Sequence, residues 1–245
     1  VPRAILPPMS EPHRSLPGTR RGLVVAVDGP ASSGKSTVGS RVAEALGYRF
    51  VDTGLLYRGV TWLALQLQAP IDDGEALAEL VARVSLSAGP DGRYESVLVD
   101  GMDVTDDVLG PSVDRRVSEV ARQPAVRSAL LARQRELADG GDIVVAGRDI
   151  GTVVLPDADL KVFLEASPEE RARRRAEQRG FAPDSPEAAA ILGDLRRRDE
   201  IDRTREAAPL RPAPDALRVV TDGHGLEETI AMVTASFRAA EDQRV

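Results

Sequence analysis

Gly29-Pro-Ala-Ser-Ser-Gly34-Lys35-Ser36 fills every defined position of the pattern G-x-x-x-x-G-K-[ST]. The residues on either side give it the right context. Leu23-Val-Val-Ala-Val27 is a short apolar run that reads as a buried strand, and Asp28-Gly29-Pro30 turns the chain. After the motif, Val38, Val42 and Leu46 recur at i, i+4 and i+8, with Gly47 placed as a helix stop, so 35–46 reads as a helix. A strand, a glycine loop and a helix in this order make an anion cradle. The glycines let backbone N–H groups turn inward around phosphate oxygens, and the helix N-terminus adds partial positive charge. Lys35 is placed to reach the β- and γ-phosphates, and the Ser36 hydroxyl suits Mg²⁺. Gly29, Pro30, Ala31, Ser32, Ser33, Gly34, Lys35, Ser36 and Thr37 are therefore the expected ATP-binding residues, with Ser36 the expected metal ligand.

Working outward, 48–51 reads as a second strand and 54–68 as a helix. Short apolar runs follow at 143–146, 160–164 and 217–220, separated by helical patterns. A closing helix sets Leu226, Ile230, Val233 and Phe237 on one face. Continuous apolar strands alternating with helices predict an α/β chain whose five-stranded parallel sheet is covered by helices on both faces. The stretch 71–110 breaks the rhythm. It is polar, and 96–105 reads as a hairpin turning at Asp100-Gly101, which suggests a small inserted subdomain.

A chain of 245 residues suits one sizeable core with a small insert. Its formal charge of −7 argues against general nucleic-acid or anionic-membrane binding. No apolar run is long enough to span a bilayer, so the expected location is the cytoplasm. Residues 1–21, rich in Pro and Arg, read as a disordered tail. The absence of cysteine removes disulfides, thiolate metal sites and thiol nucleophiles. The cations are unevenly chosen: of 32, only Lys35 and Lys161 are lysine, leaving 30 arginines.

With so few lysines, an Asn-Lys-x-Asp guanine reader is missing, and no Ser-Gly-Gly-Gln stretch of transporter ATPases is present. A kinase for a small acceptor remains. Asp52-Thr-Gly-Leu-Leu-Tyr-Arg58 lies at the end of the second strand, where open α/β sheets place ligands. Gly147-Arg-Asp-Ile-Gly-Thr152 follows another strand. Ten arginines crowd 171–205, with local acids too few to pair them all. Ser167-Pro-Glu-Glu170 starts a helix there, which puts Arg171 and Arg175 on one face. Unpaired arginines beside a phosphate cradle suggest neutralisation of transition-state charge.

These four stretches in order, with Gly147-Arg-Asp-Ile-Gly-Thr-Val-Val154 and Arg198-Asp-Glu-Ile-Asp-Arg-Thr-Arg205 completing the set, resemble bacterial cytidylate kinase from about residue 22 to 240. The resemblance implies a P-loop core (22–70 and 111–245), a nucleoside-monophosphate-binding insert (71–110) and an Arg-rich lid (about 171–200). It implies that Thr53, Tyr57 and Arg58 line the monophosphate pocket and that Ser118, Arg127 and Asp149 face the cytosine ring. Arg148 and Arg198 would hold the acceptor phosphate, with Asp202 and Arg205 at ribose or phosphate. Lys35, Arg148, Arg198 and the lid's Arg171, Arg174 and Arg175 are the expected catalytic cations. The chemistry of the base agrees: cytosine offers an N4 amine that Asp149 can accept, while Arg127 can donate to N3 and O2.

Two positions depart from the family pattern: Ala146 stands where an acid precedes Gly-Arg-Asp, and Val108-Leu109 stands where Ile-Arg is usual. The expected reaction is Mg²⁺-assisted transfer from ATP to CMP or dCMP by a monomer. The alternatives are a kinase for another acceptor, such as UMP or shikimate, and a regulatory module that binds ATP without transfer. A coupled assay with CMP, dCMP, UMP, AMP and shikimate separates the kinase readings, and ATP binding without CDP formation would favour the module.

Overall fold

The computed structural model describes residues 22–242. The expectation for the tail lies outside them. In chain order the first half contains β1 (Val24–Asp28), α1 (Lys35–Leu46), β2 (Arg49–Asp52), α2 (Gly54–Gln66), α3 (Gly74–Leu80), β3 (Val84–Ala88), β4 (Arg93–Val99), β5 (Met102–Asp103), α4 (Thr105–Val108), α5 (Pro111–Ala121) and α6 (Pro124–Leu137). The second half contains β6 (Ile143–Gly147), β7 (Leu160–Glu165), α7 (Pro168–Gln178), α8 (Pro186–Thr204), β8 (Leu217–Val220) and α9 (Leu226–Asp242).

β1 runs parallel between β6 and β7, with β2 beyond β6 and β8 beyond β7. This is the expected five-stranded parallel arrangement, in the order β2-β6-β1-β7-β8. Alternation along β1 explains why its strands read as unbroken apolar runs. Val25 and Val27 pack with Val38, Val42 and Phe237 on one face, while Val24 and Ala26 pack with Val51, Val145 and Ile150 on the other. Each such valine contributes roughly 1.5–3 kcal/mol by leaving water.

The sheet is larger than the sequence implied. The hairpin of 84–103 is not separate: β4 pairs parallel with β2 at Phe50–Arg93 and Val51–Tyr94, giving eight strands. The physical reason is twofold. Val84, Val97 and Val99 need a partner surface and find it on α2, and β2 would otherwise leave an open sheet edge. The turn at Asp100-Gly101 has φ of 51° and 82°, the two positive values that a two-residue hairpin turn of this kind requires. Trp62, on α2, packs against the same cluster.

α7 and α8 form an antiparallel pair. Ser167 and Ser185 cap them by accepting from the N–H groups of Glu170 and Ala188, each with a proline at the first helical position. Their shared seam is slight: Ala172, Ala176, Ala188, Ile191 and Leu195, resting on Ala31 of the loop after β1. Lys161, on β7, is buried and bonded to Asp215 at 2.7 Å, a structural role.

Candidate active site

The loop from Gly29 to Ser36 sits at the C-terminal end of β1 and depends on its glycines. A Cβ at Gly29 would come within 2.4 Å of the Leu164 carbonyl oxygen, and Gly34 adopts φ of 90° just before α1. Lys35 folds back under this loop, its Nζ donating to the Pro30 carbonyl at 3.3 Å. Burial, and after it the charge of Arg148, push the Lys35 ammonium down to about 7. An ammonium so poorly compensated is prepared to meet an anion. Ser33 Oγ is buried with no hydrogen-bond partner, a second polar group that a phosphate oxygen would satisfy.

Ser36 Oγ donates to Asp52, whose other oxygen accepts the Gly54 N–H at 2.9 Å. A hydroxyl in the first turn of α1 and a carboxylate at the end of β2 are the hard oxygen donors that Mg²⁺ takes from a protein alongside phosphate and water. Ala146 pairs in register with Asp52, so the acid missing from β6 has a carboxylate beside it on β2.

Asp28, at the end of β1, accepts the N–H groups of Ile150 and Gly151, each at 2.8 Å. It thereby fastens the tight turn of 150–154 behind Arg148 and Asp149. Burial pushes its carboxyl up to about 6, only partly countered by those two N–H groups.

The remaining expected residues converge on the same cleft, of about 1110 Å³. Its lining includes Ala31 to Thr37, Thr53, Tyr57, Arg58, Ser118, Arg127, Arg148, Asp149, Arg174, Arg175, Arg198, Asp202 and Arg205. Gly29 and Pro30 shape the loop from beneath. Asp149 is bonded by Arg127 and, at 3.4 Å, by Arg205, and the Arg127 guanidinium lies 5.5 Å from the centre of the Tyr57 ring. Arg148 Nε donates to Asp202 at 3.0 Å. Burial lowers Arg198 to about 10, with Arg148 and Arg58 adding to the effect, and its Nε has no partner. Burial would raise Asp202, but the neighbouring Arg148 and Arg205 hold it below the usual carboxylate range. Thr53 Oγ1 donates to the Ala146 carbonyl at 3.0 Å, so its hydroxyl also ties β2 to β6. Leu109, in place of the family's arginine, is exposed at the rim.

Two expectations need correction. Arg171 does not line the cleft. Its guanidinium is fully buried and donates to Asp199 and to the carbonyls of Ala166 and Ala31, which locks α7 to α8 and to the phosphate loop. Buried away from the cleft that Arg174 and Arg175 line, it braces the helices from behind. Nor are the arginines of 171–205 short of acids. Among the described residues all but Arg203 have a carboxylate within 4 Å: Glu169, Glu170 and Asp199 come from the same two helices, and Asp114, Glu119 and Asp149 from elsewhere in the chain. Three acids gained importance that sequence reasoning had not assigned: Asp28, Asp52 and Asp114. The first two end strands at the ligand-bearing edge, a signal that was legible. Asp114 carries no such signal.

The family model described as Cytidylate kinase matches residues 25–239. A cytidylate kinase of Geobacillus kaustophilus (strain HTA426) is 46% identical over 217 residues, covering 87% of this chain and 96% of that protein. One from Rhodococcus opacus (strain B4) is 46% identical over 209 residues, covering 85% and 91%. A bifunctional pantoate ligase/cytidylate kinase of Synechococcus sp. (strain CC9605) is 47% identical over 225 residues, which is 90% of this chain and 46% of that longer one.

Proposed function

The chain belongs to the cytidylate kinase family, and from that premise we propose that it moves the γ-phosphoryl of ATP onto CMP, and onto dCMP, giving CDP or dCDP and ADP. The observation that carries this reading is that the phosphate cradle and the Arg127–Asp149 pair line one cleft. A donor's polyphosphate and an acceptor's base each find complementary groups there.

An oxygen of the acceptor phosphate attacks the γ-phosphorus as the bond to the β-phosphate oxygen breaks, and the electron pair leaves on ADP. The attacking oxygen is already anionic, so no general base is needed. Positioning and charge do the work. Lys35 and the loop N–H groups hold the β- and γ-phosphates. Arg58, Arg148 and Arg198 grip the acceptor phosphate, and Arg174 and Arg175 reach from the α7 side toward the transferring group. Mg²⁺, held at the Ser36 hydroxyl and the Asp52 carboxylate, would neutralise and orient the donor's phosphate oxygens. α7 and α8 act as a lid that excludes water during transfer, and 71–110 as the monophosphate-binding insert. The enzyme acts as a monomer in the cytoplasm, on nucleotides and not on nucleic acid. The net charge of −7 supports the last point, and no helix among the described residues is long and apolar enough to cross a membrane.

Asp149 sets the base preference. It accepts the N4 amine of cytosine but faces an acceptor, O4, in uracil, and unmatched buried polar groups discriminate strongly. A coupled assay should show CMP and dCMP turning over, with UMP, AMP and shikimate slower by about a hundredfold or more. Asp149→Ala should raise KM for CMP and erode its advantage over UMP. Equal wild-type rates on CMP and UMP would overturn the assignment.

A further inference from the structure

Asp114 stands in the first turn of α5, just after Gly110 and Pro111, and its side chain is only 13% exposed. Among the described residues no other carboxylate gathers as many guanidiniums. One oxygen accepts from Arg58 of α2 at 2.6 Å and lies 3.6 Å from Arg198 of α8. The other accepts from Arg175 of α7 at 2.6 Å and from Arg179, just past that helix, at 2.7 Å. Arg58, Arg175 and Arg198 line the cleft, whereas Asp114 and Arg179 do not. The carboxylate therefore stands behind the arginines and not in the path of a substrate.

Burial would raise this carboxyl, but Arg58 and then Arg175 more than offset that and hold it below its ordinary range, so it is a fixed negative charge. The charge brings α7 to α5, and adds to the contacts α5 already makes with α2 through Val113 and Val117 and with α8 through Arg197, which donates to Glu119 and to the Arg115 carbonyl. The apolar seam of α7 and α8 is built of those two helices and Ala31, and supplies no grip on α5. Without Asp114, four guanidiniums would face one another with one anion fewer, and like charges at this range repel.

We propose that Asp114 is a positioning residue. It aims Arg58 and Arg198 at the acceptor phosphate and Arg175 toward the transferring group, and it straps the α7–α8 pair down onto α5. The role rests on the CMP-kinase reading for its substrate, and the strap itself needs no substrate to be observed. The ties are short, partly buried and shared among four partners, unlike an isolated surface ion pair.

Asp114→Asn keeps the size and removes the charge. It should lower kcat and raise KM for CMP, each about tenfold, because small misplacements of phosphate-gripping groups are costly, while KM for ATP stays within about twofold. Asp114→Glu should recover most of the loss. In the substrate-free enzyme, chymotrypsin should cut after Phe181, in the link between α7 and α8, several-fold faster in Asp114→Asn than in wild type. Wild-type kcat and KM for CMP in Asp114→Asn would overturn the proposal. A wild type that forms no CDP would defeat the substrate reading instead, and equal rates of cutting at Phe181 would then overturn the strap. Should Asp114→Asn fail to fold, Arg179→Met removes one tie outside the cleft. Faster cutting at Phe181 in that variant supports the strap, and an unchanged rate overturns it.

Discussion

Asp28 illustrates how a single side chain can serve the site at a cost to the fold. Its carboxylate organises the turn behind Arg148 and Asp149, yet burial raises its pKa from 3.8 to about 6. The folded protein therefore prefers the protonated form more than the unfolded chain does. That preference stabilises the fold fully below about pH 4 and is lost as the pH rises through 6. The loss is about 3 kcal/mol, since each pH unit separating the folded from the unfolded value is worth about 1.36 kcal/mol. Asp28→Asn cannot ionise. Urea unfolding at pH 4, 5, 6 and 7 should show wild type losing ground to Asp28→Asn by that amount across the range, and a difference independent of pH would refute the assignment. Other residue identities were legible because local rules dictate them. Gly29 has a carbonyl where a side chain would go, and Asp100-Gly101 has the two positive φ values of its turn. Arg171 was misread for the opposite reason. Its position on a helix face says nothing about which other helix that face meets.

At the scale of elements, α7 and α8 are joined by a small apolar seam and by the buried Arg171–Asp199 pair with its links to the Ala31 and Ala166 carbonyls. Removing one member of a buried pair leaves an uncompensated charge and costs about 3–5 kcal/mol. Arg171→Met should therefore lower Tm substantially, while any remaining folded enzyme keeps a near-normal KM for CMP, since the side chain does not line the cleft. A Tm unchanged within error, or a large KM effect without loss of stability, would restore a direct role in transfer. The sheet shows the same limit of local reading. The five parallel strands were legible because both their faces are buried and their sequences run apolar throughout. The docking of β4 onto β2 was not, since it rests on two residue pairs between segments about forty residues apart.

At the scale of the molecule, the proposed donor cradle and acceptor pocket draw on segments spread between Gly29 and Arg205, and ligand binding should stabilise the whole. At a CMP concentration of about 100 times Kd the expected gain is about 2.7 kcal/mol, or roughly 5–10 °C in Tm for a protein of this size. UMP at the same concentration should give much less. Equal shifts would count against base recognition by Asp149.

The sequence by itself determined the phosphate cradle, the parallel sheet and the motif residues that reach the cleft. These depend on contiguous patterns: a loop geometry that only glycine permits, the two-residue period of buried strands, and caps set within one turn. Only the tertiary structure decided how the arginines divide. Arg171 became a buried brace, Arg58, Arg175 and Arg198 became cleft cations, and Asp114 became the anion behind them. A charge takes its role from the nearest opposite charge and from the water it has lost. Both are fixed by residues far away along the chain.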